Sequence, residues 1–254
     1  PDAIESAYET NGIEEKIGEV TIQNNKLCFD MASYRPKTFA VRLKKGNVKA
    51  APIKNIPLQL PFNSKAFTPE NFGYTVSFDK KGNSFAAELI GDKVTCDNIT
   101  FSIADHENKN VIKCKGDTIQ LPKEAAGKKL YILAASTDKD RKSTFLVNGK
   151  SHEFEIPYYS GFYGQWGHKG VSDGYIRNAS LAYIGSHRHT EKGNDTYIYT
   201  YMYKLGIELP QEAHTLVLPK DENIAVFAIT LSDNYIDDIS TANEMRTLPL
   251  EVSK

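Results

Sequence analysis

Two histidines at alternate positions are the residues best suited to chemistry in this sequence. His187 and His189 flank Arg188, and alternate side chains of a β-strand project from the same face. Two imidazoles on one face can bind a metal ion, transfer protons or donate hydrogen bonds to hydroxyl groups. A catalytic zinc ion needs a third protein ligand, for which the nearest histidine along the chain is His168. Polar packing without any ligand is the alternative.

Aromatic side chains crowd residues 158–166, where Gly161 and Gly164 argue for a loop or bulge rather than a regular strand. Flat rings stack on the apolar C–H face of a sugar, and tyrosine and tryptophan also keep a polar edge. We therefore predict a shallow carbohydrate site where this loop meets the histidine strand. The alternative is that the rings only cover one end of the fold. The predicted sugar-binding residues are Tyr159, Tyr163, Trp166, His187, Arg188 and His189.

A second candidate site consists of oxygen-bearing side chains around a polar turn. Asp79, Asn83 and Glu88 lie close together in the sequence, and Asp233 follows a late strand. Calcium takes six to eight oxygen ligands, which acidic side chains and loop carbonyls supply. We predict a structural calcium ion held by these four residues and no catalytic cofactor. An ordinary polar turn is the alternative.

The composition is typical of a soluble globular protein and argues against two classes of partner. Of the 254 residues, 40% are hydrophobic and 25% are charged. The 31 basic and 32 acidic residues leave a net charge of −1, whereas a nucleic-acid binder needs a basic excess. No apolar run approaches the ~20 residues of a membrane-spanning helix. The three cysteines lack Cys-X-X-Cys spacing, which argues against a thiolate zinc site.

Short runs rich in valine, isoleucine, threonine and aromatic residues, separated by turn residues, predict an all-β fold. The predicted strands are residues 19–23, 26–30, 38–43, 85–90, 99–103, 129–135, 144–147, 153–156, 197–204, 215–218 and 224–231. Residues 3–9 are compatible with a short helix. Asn148-Gly149 predicts a two-residue hairpin turn. Four alternate tyrosines from 197 to 203 are expected on one face, packing in the core or forming a binding platform.

The arrangement of turns predicts two β regions. Residues 1–44 hold about three strands, too few for a stable sheet alone, and we interpret them as terminal strands of a preceding β-sandwich. Prolines interrupt residues 45–56, which we predict as a linker. Residues 57–232 have the length of a jelly-roll β-sandwich, and residues 233–254 form a C-terminal tail. The chain begins at Pro1 rather than at a methionine, so we expect a processed product or a fragment.

Several strings resemble the C-terminal region of bacterial α-mannosidase-like proteins of glycoside hydrolase family 38. NGIEE at 11–15 and YRPKTFAVRL at 34–43 resemble the last strands of that family's β-sandwich. The following strings resemble an appended galactose-binding-like module: LQLPFN (58–63), FDKKGNSFAAEL (78–89), LYILAASTD (130–138), GFYGQW (161–166) and SHRHT (186–190). The likeness implies a galactose-binding-like jelly roll that ends near residue 232.

This resemblance implies a role without catalysis in this chain, because nothing matches the family's catalytic domain and no catalytic residue carries over. The expected function is an accessory region of an α-mannosidase-like glycoside hydrolase. It would bind a mannose-containing glycan or support the missing catalytic domain, in the bacterial periplasm or outside the cell. The alternatives are a purely structural or interaction β-sandwich and a histidine-based metallohydrolase.

Overall fold

The computed structural model describes residues 3–44, 53–70, 76, 78–161 and 179–233. These residues form strands and almost no helix, which confirms the predicted all-β class. The chain divides into two compact units, Pro1–Pro52 and Ile53–Lys254, and this division lies inside the range predicted as a linker. None of the helices in the described ranges is long and apolar enough to cross a membrane.

The described part of the small unit contains five strands. They are β1 (Ile4–Thr10), β2 (Lys16–Glu19), β3 (Thr21–Gln23), β4 (Lys26–Cys28) and β5 (Thr38–Leu43). β1 lies between β2 and β5, and β3 pairs with β4. The expected short helix at residues 3–9 is therefore wrong, since strands on both sides of β1 satisfy its backbone hydrogen bonds.

The large unit contains fourteen described strands in three groups. They are β6 (Asn55–Pro57), β7 (Phe67–Thr68), β8 (Ser84–Ala86), β9 (Lys93–Cys96), β10 (Ile99–Ser102), β11 (Ile112–Lys113), β12 (Thr118–Gln120), β13 (Lys129–Ser136), β14 (Arg141–Val147), β15 (Lys150–Ile156), β16 (Ser180–Thr190), β17 (Gly193–Glu208), β18 (Thr215–Val217) and β19 (Ile224–Ser232). The main sheet has the order β11-β19-β13-β17-β16-β8-β7, with β6 also paired to β19. A second sheet has the order β12-β18-β14-β15, and β9 pairs with β10. Two short 3₁₀ helices are Ala87–Leu89 and Lys123–Ala125.

The main sheet is buried on both faces, which makes the large unit a β-sandwich. On β13, Leu130 and Ile132 join an apolar cluster that includes side chains of the second sheet. The intervening Tyr131 and Leu133 belong to the cluster that includes side chains of β9 and β10. Successive side chains of a strand point to opposite faces, so this central strand is apolar at almost every position.

The hairpin predicted at Asn148-Gly149 is confirmed in type and register. β14 pairs with β15 so that Val147 faces Lys150 and Phe145 faces His152. Asn148 has a φ of 48° and Gly149 a φ of 82°. Asparagine and glycine tolerate positive φ angles, which the tight hairpin turn requires.

The tyrosines of β17 do not form a continuous row. Tyr201 and Tyr203 are buried in the core, and their hydroxyls donate to the carbonyls of Gly161 and Tyr158. Tyr197 is 78% exposed and has a φ of 66°. The prediction of one shared face is therefore wrong for Tyr197, because the pairing of β16 with β17 shifts register beside it.

Candidate functional site

His187 and His189 share one face of β16, as their spacing predicts. Their ring centroids are 5.5 Å apart, and the ring planes differ by 30°. The side chain of His189 is 5% exposed and that of His187 is 15% exposed. Both rings are therefore held close together near the surface with limited access to water.

Glu88 faces both imidazoles. Its Oε1 atom lies 3.0 Å from Nε2 of His187 and 2.9 Å from Nε2 of His189. The predicted strand at residues 85–90 ends at Ala86, and the 3₁₀ helix that follows carries Glu88. β8 pairs with β16 so that Ser84 is opposite His189. The chain reversal just after this pairing brings the carboxylate to the histidines.

The other nitrogen of each imidazole also has a partner. Nδ1 of His189 lies 3.2 Å from the hydroxyl of Thr68 on β7, and Nδ1 of His187 lies 3.3 Å from the hydroxyl of Ser186. The Thr68 hydroxyl also contacts that of Ser84. These bonds orient both rings so that each Nε2 points to the carboxylate.

The surroundings of Glu88 favour its ionised form. Burial by itself would raise the pKa of this carboxyl, but hydrogen bonds from its own backbone and from the two histidines lower it below its ordinary value. Glu88 is thus an acceptor at neutral pH, and its side chain is 30% exposed. We call Glu88, His187 and His189 the His–Glu–His cluster.

A cleft of about 920 Å³ borders this cluster, because Glu88 also lines the cleft. Apolar side chains of Phe67, Ala87, Ile90 and Ile103 form part of its lining, and all four are buried. The volume lies within the range typical of small-ligand sites, which combine an apolar lining with a few polar groups. We call this feature the acidic cleft.

Carboxylates dominate the charge of the acidic cleft. Its acidic residues are Glu70, Glu88, Asp92, Asp105 and Glu107. Lys65 is the basic side chain of the described lining, and it donates to the backbone carbonyl of Glu107. His106 stacks near Phe67 with ring centroids 4.8 Å apart, and burial lowers its pKa although Asp105 acts in the opposite direction. The cleft therefore carries a net negative charge.

The predicted sugar-binding residues are divided between two faces of β16. Arg188 points away from the His–Glu–His cluster and pairs with Asp195, its Nε lying 2.8 Å from Oδ2. Tyr159 is fully buried, and its hydroxyl donates to Asp79 at 2.9 Å. A ring with no exposed surface offers no stacking face, so Tyr159 belongs to the core rather than to a sugar site. Tyr163, Trp166 and His168 lie outside the described residues.

The four predicted calcium ligands have separate partners. Asp79 accepts hydrogen bonds from Asn83 and from the backbone of Lys81, which closes a polar turn. Glu88 contacts the two histidines. Asp233 forms an ion pair with Lys128. The structure thus joins Asp79 to Asn83 and assigns Glu88 to a different cluster.

Sequence reasoning missed Glu88 as the partner of the histidines. It lies about 100 positions before them in the sequence, and no spacing rule connects residues of unpaired strands over such a distance. The residues of the acidic cleft were missed for the same reason. A clue was that Glu88 and the histidines had each been selected as candidate ligands, although for different ions.

The fold and the cleft define an all-β protein whose larger part is a β-sandwich with a ligand-sized acidic cleft. Comparison with protein families matches residues 54–235, more than half of the chain, to the AziU2-like beta-sandwich domain. The chain belongs to this family. Comparison with curated proteins gives no match.

Proposed function

We propose that the β-sandwich is a non-catalytic module that binds a glycan in the acidic cleft. The observation that carries this proposal is the combination of an apolar lining with five carboxylates in one cleft of ligand size. The C–H face of a sugar ring can pack on apolar side chains, while its hydroxyls donate hydrogen bonds to ionised carboxylates.

The charge of the cleft supports a preference among sugars. Five carboxylates surround one lysine ammonium group, and a cleft lined by one sign of charge raises the local concentration of ligands of opposite sign. Amino sugars should therefore bind more tightly than neutral mannose oligosaccharides. Uronic-acid oligosaccharides should bind least.

Titration with three oligosaccharides of equal length tests the glycan proposal. The ligands are a mannose, a glucosamine and a galacturonic-acid oligomer, with EDTA present and binding followed by calorimetry. We expect a Kd on the order of 0.1–1 mM for the first two, since shallow sugar sites bind weakly. Equal affinity for all three, or no binding of any, would contradict the proposal.

Charge-removing variants locate the binding site. Asp92→Asn and Glu107→Gln each remove one carboxylate from the cleft and should weaken binding of the glucosamine oligomer several-fold. Glu124→Gln removes the same charge from the exposed first turn of the second 3₁₀ helix and is the matched control. Equal effects at all three positions would show that the charge of the whole protein, rather than the cleft, attracts the ligand.

Trp166 remains a candidate stacking residue. It is the only tryptophan of the chain, so its fluorescence reports on its surroundings alone. We expect the emission to change during the oligosaccharide titration and Trp166→Ala to abolish binding without unfolding the protein. Binding that survives this substitution would limit the glycan site to the acidic cleft.

An α-mannosidase-like parent protein is part of the proposal and rests on the sequence resemblance, since the family match names neither glycoside hydrolases nor galactose-binding modules. We expect this chain alone not to hydrolyse aryl α-mannosides, with or without added zinc. Steady hydrolysis that disappears in Glu88→Gln would favour the metallohydrolase alternative instead. A periplasmic or secreted location is likewise a proposal, which cell fractionation tests.

A structural or interaction role of the small unit is the second candidate function. Seven large hydrophobic side chains are exposed in its described residues: Ile13, Ile17, Phe29, Met31, Tyr34, Val41 and Leu43. Exposed apolar groups at this density are typical of a surface that packs on further protein. This surface could support a missing catalytic domain.

Sedimentation velocity tests the interaction role. We expect self-association that grows with protein concentration and decreases in Val41→Lys. Ile184→Lys, which changes an exposed apolar residue of the large unit, is the control and should sediment like the unmodified protein. Identical behaviour of Val41→Lys and Ile184→Lys would argue against a docking surface.

Calcium bound near Asp79 and Asn83 also remains a proposal. An ion there would compete with the hydrogen bonds that Asp79 already accepts. Since a ligand bound only to the folded state stabilises it, calcium should raise the melting temperature relative to EDTA. Identical melting curves after prolonged EDTA treatment would remove calcium from the proposal.

A further inference from the structure

We propose that the His–Glu–His cluster is a binding site for one divalent transition-metal ion of the zinc type. The metal-binding atoms of Glu88, His187 and His189 all lie within 4.8 Å of one another. Donors at about 2.1 Å from a tetrahedral zinc ion are roughly 3.4 Å apart. Small rotations of the partly exposed Glu88 side chain therefore suffice to place the three donors around one ion.

The two imidazoles are oriented before any ion arrives. Both project from β16, which is paired with β8 and β17 on its two sides. Nδ1 of each ring contacts a hydroxyl group, Thr68 for His189 and Ser186 for His187. Metal-binding histidines characteristically use their second nitrogen in such a hydrogen bond, which fixes the ring and its tautomer.

Hydroxyl partners allow the tautomer to change as metal binding requires. Without metal, each Nε2 donates its hydrogen to the Glu88 carboxylate, so Nδ1 of a neutral ring accepts from a hydroxyl. An imidazole that binds metal through Nε2 carries its hydrogen on Nδ1. Because Thr68 and Ser186 can accept as well as donate, both outer hydrogen bonds survive this change.

The donor set selects the class of metal. Two imidazole nitrogens and one carboxylate oxygen suit zinc, cobalt, nickel and iron, whereas calcium and magnesium prefer oxygen alone. Three protein ligands leave a further coordination position for water or a bound molecule. Since Glu88 also lines the acidic cleft, a molecule in the cleft is a candidate for that position. This inference does not rest on the glycan proposal.

Metal titration of the whole chain tests the proposal directly. The protein is treated with EDTA, desalted without glycan and titrated with zinc by calorimetry, and in parallel with cobalt by visible absorption. We expect one equivalent of each metal to bind, and cobalt to develop the absorption bands of a low-coordinate complex. Calcium at the same concentration should not compete with zinc.

Matched variants assign the binding to the cluster. Glu88→Gln and His187→Gln each remove one ligand and should lower zinc affinity more than about 100-fold, beyond the effect of losing an outer hydrogen bond. Thr68→Val removes the bond to His189 and should lower it about 10- to 100-fold. His152→Gln removes an imidazole from β15, outside the cluster, and should bind zinc as the unmodified protein does.

Two results would overturn the metal site. One is zinc binding that is unchanged in both Glu88→Gln and His187→Gln. The other is the absence of one-equivalent binding in the unmodified protein. Circular-dichroism melting without metal shows that each variant is folded, and Glu88→Gln at its partly exposed position keeps the test valid if a histidine variant unfolds. Failure of glycan binding measured in EDTA leaves the metal result unaffected.

Discussion

At the scale of single residues, Tyr159 and Asp79 form one buried hydrogen-bonded pair. The Tyr159 side chain is fully buried, and burial together with the nearby Asp79 carboxylate raises its pKa. The hydroxyl therefore stays protonated and donates to Oδ2 of Asp79 at 2.9 Å. Asp79 in turn closes the turn that leads to Asn83, so this tyrosine links the core to the loop before β8.

Replacing Tyr159 by phenylalanine should destabilise the protein. The substitution keeps the ring but removes one hydrogen bond to a charged group, at a cost of about 1.5–3 kcal/mol. Urea denaturation measures the free energy of unfolding. Tyr197→Phe, at a ring that is 78% exposed, is the control and should change it by less than about 0.5 kcal/mol. Equal losses at both positions would contradict a structural role of the Tyr159 hydroxyl.

Asp138 shows how one arginine controls a carboxyl group. Nε and one terminal nitrogen of Arg141 donate to the two oxygens of Asp138 at 2.7 and 2.6 Å. The remaining terminal nitrogen donates to Asp221 at 2.9 Å. These bonds from Arg141 lower the pKa of Asp138 to about 2, against the smaller opposing effect of burial.

The Asp138–Arg141 pair should stabilise the fold above the ordinary carboxyl pKa and cease to do so in acid. Because the folded-state pKa is the lower one, the contribution is present above pH 3.8 and disappears as the pH falls towards 2. Carbon NMR of the carboxyl group should show the titration of Asp138 near pH 2, and Arg141→Gln should raise its midpoint towards 3.8. Lys142→Gln removes a neighbouring charge instead and should leave the midpoint nearly unchanged.

At the scale of elements, the β14–β15 hairpin is held both by its turn and by a distant segment. Oδ1 of Asn148 accepts hydrogen bonds from the backbone of His214 and Thr215, each at 3.1 Å. Its amide donates to the carbonyl of Glu212 at 2.7 Å. Asn148 thus serves the local turn through its positive φ and the second sheet through its side chain.

Two substitutions separate these roles. Gly149→Ala places a side chain at a φ of 82° and should cost about 1 kcal/mol or more. Asn148→Gly keeps the backbone conformation but removes the side-chain bonds, at a cost of roughly 1–3 kcal/mol. Gly91→Ala, where a methyl group meets open space, is the control in thermal and urea unfolding. A Gly149→Ala protein as stable as Gly91→Ala would contradict strain at the turn.

At the scale of the whole molecule, the two units differ in how much of their chain is buried. All residues of β13 and β19 are buried. In the small unit, Ala7 and Thr10 are the buried residues of the described range. Since the opening of a segment costs the burial that it loses, the two units should open at different free energies.

Hydrogen exchange of the intact chain should reveal this difference. Amides of β13 and β19 should exchange only through global unfolding, while those of β1 and β5 should exchange faster by at least an order of magnitude. Mass spectrometry of peptic fragments measures both in one experiment, with the β14–β15 hairpin as an internal reference. Equal protection of β1 and β13 would mean that the small unit unfolds together with the sandwich.

Local rules in the sequence determined several features of this protein. Period-two alternation and β-branched composition specify strands, the Asn-Gly pair specifies the hairpin register, and the i, i+2 spacing places His187 and His189 on one face. Each rule acts between residues close in the chain, where the backbone geometry alone relates their positions. The strand at residues 85–90 shows the limit, because the 3₁₀ turn after Ala86 replaces its second half.

Only the tertiary structure decided which groups face those histidines. The pairing of β8 with β16 and of β7 with β8 brings Glu88 and Thr68 to them across about 100 and 121 positions of the chain. Tertiary packing likewise buried Tyr159, which the sequence offered as a sugar-binding ring, and separated Arg188 from its two neighbours. Strand order depends on the simultaneous burial of both faces of the main sheet, a property of the whole fold that no short segment contains.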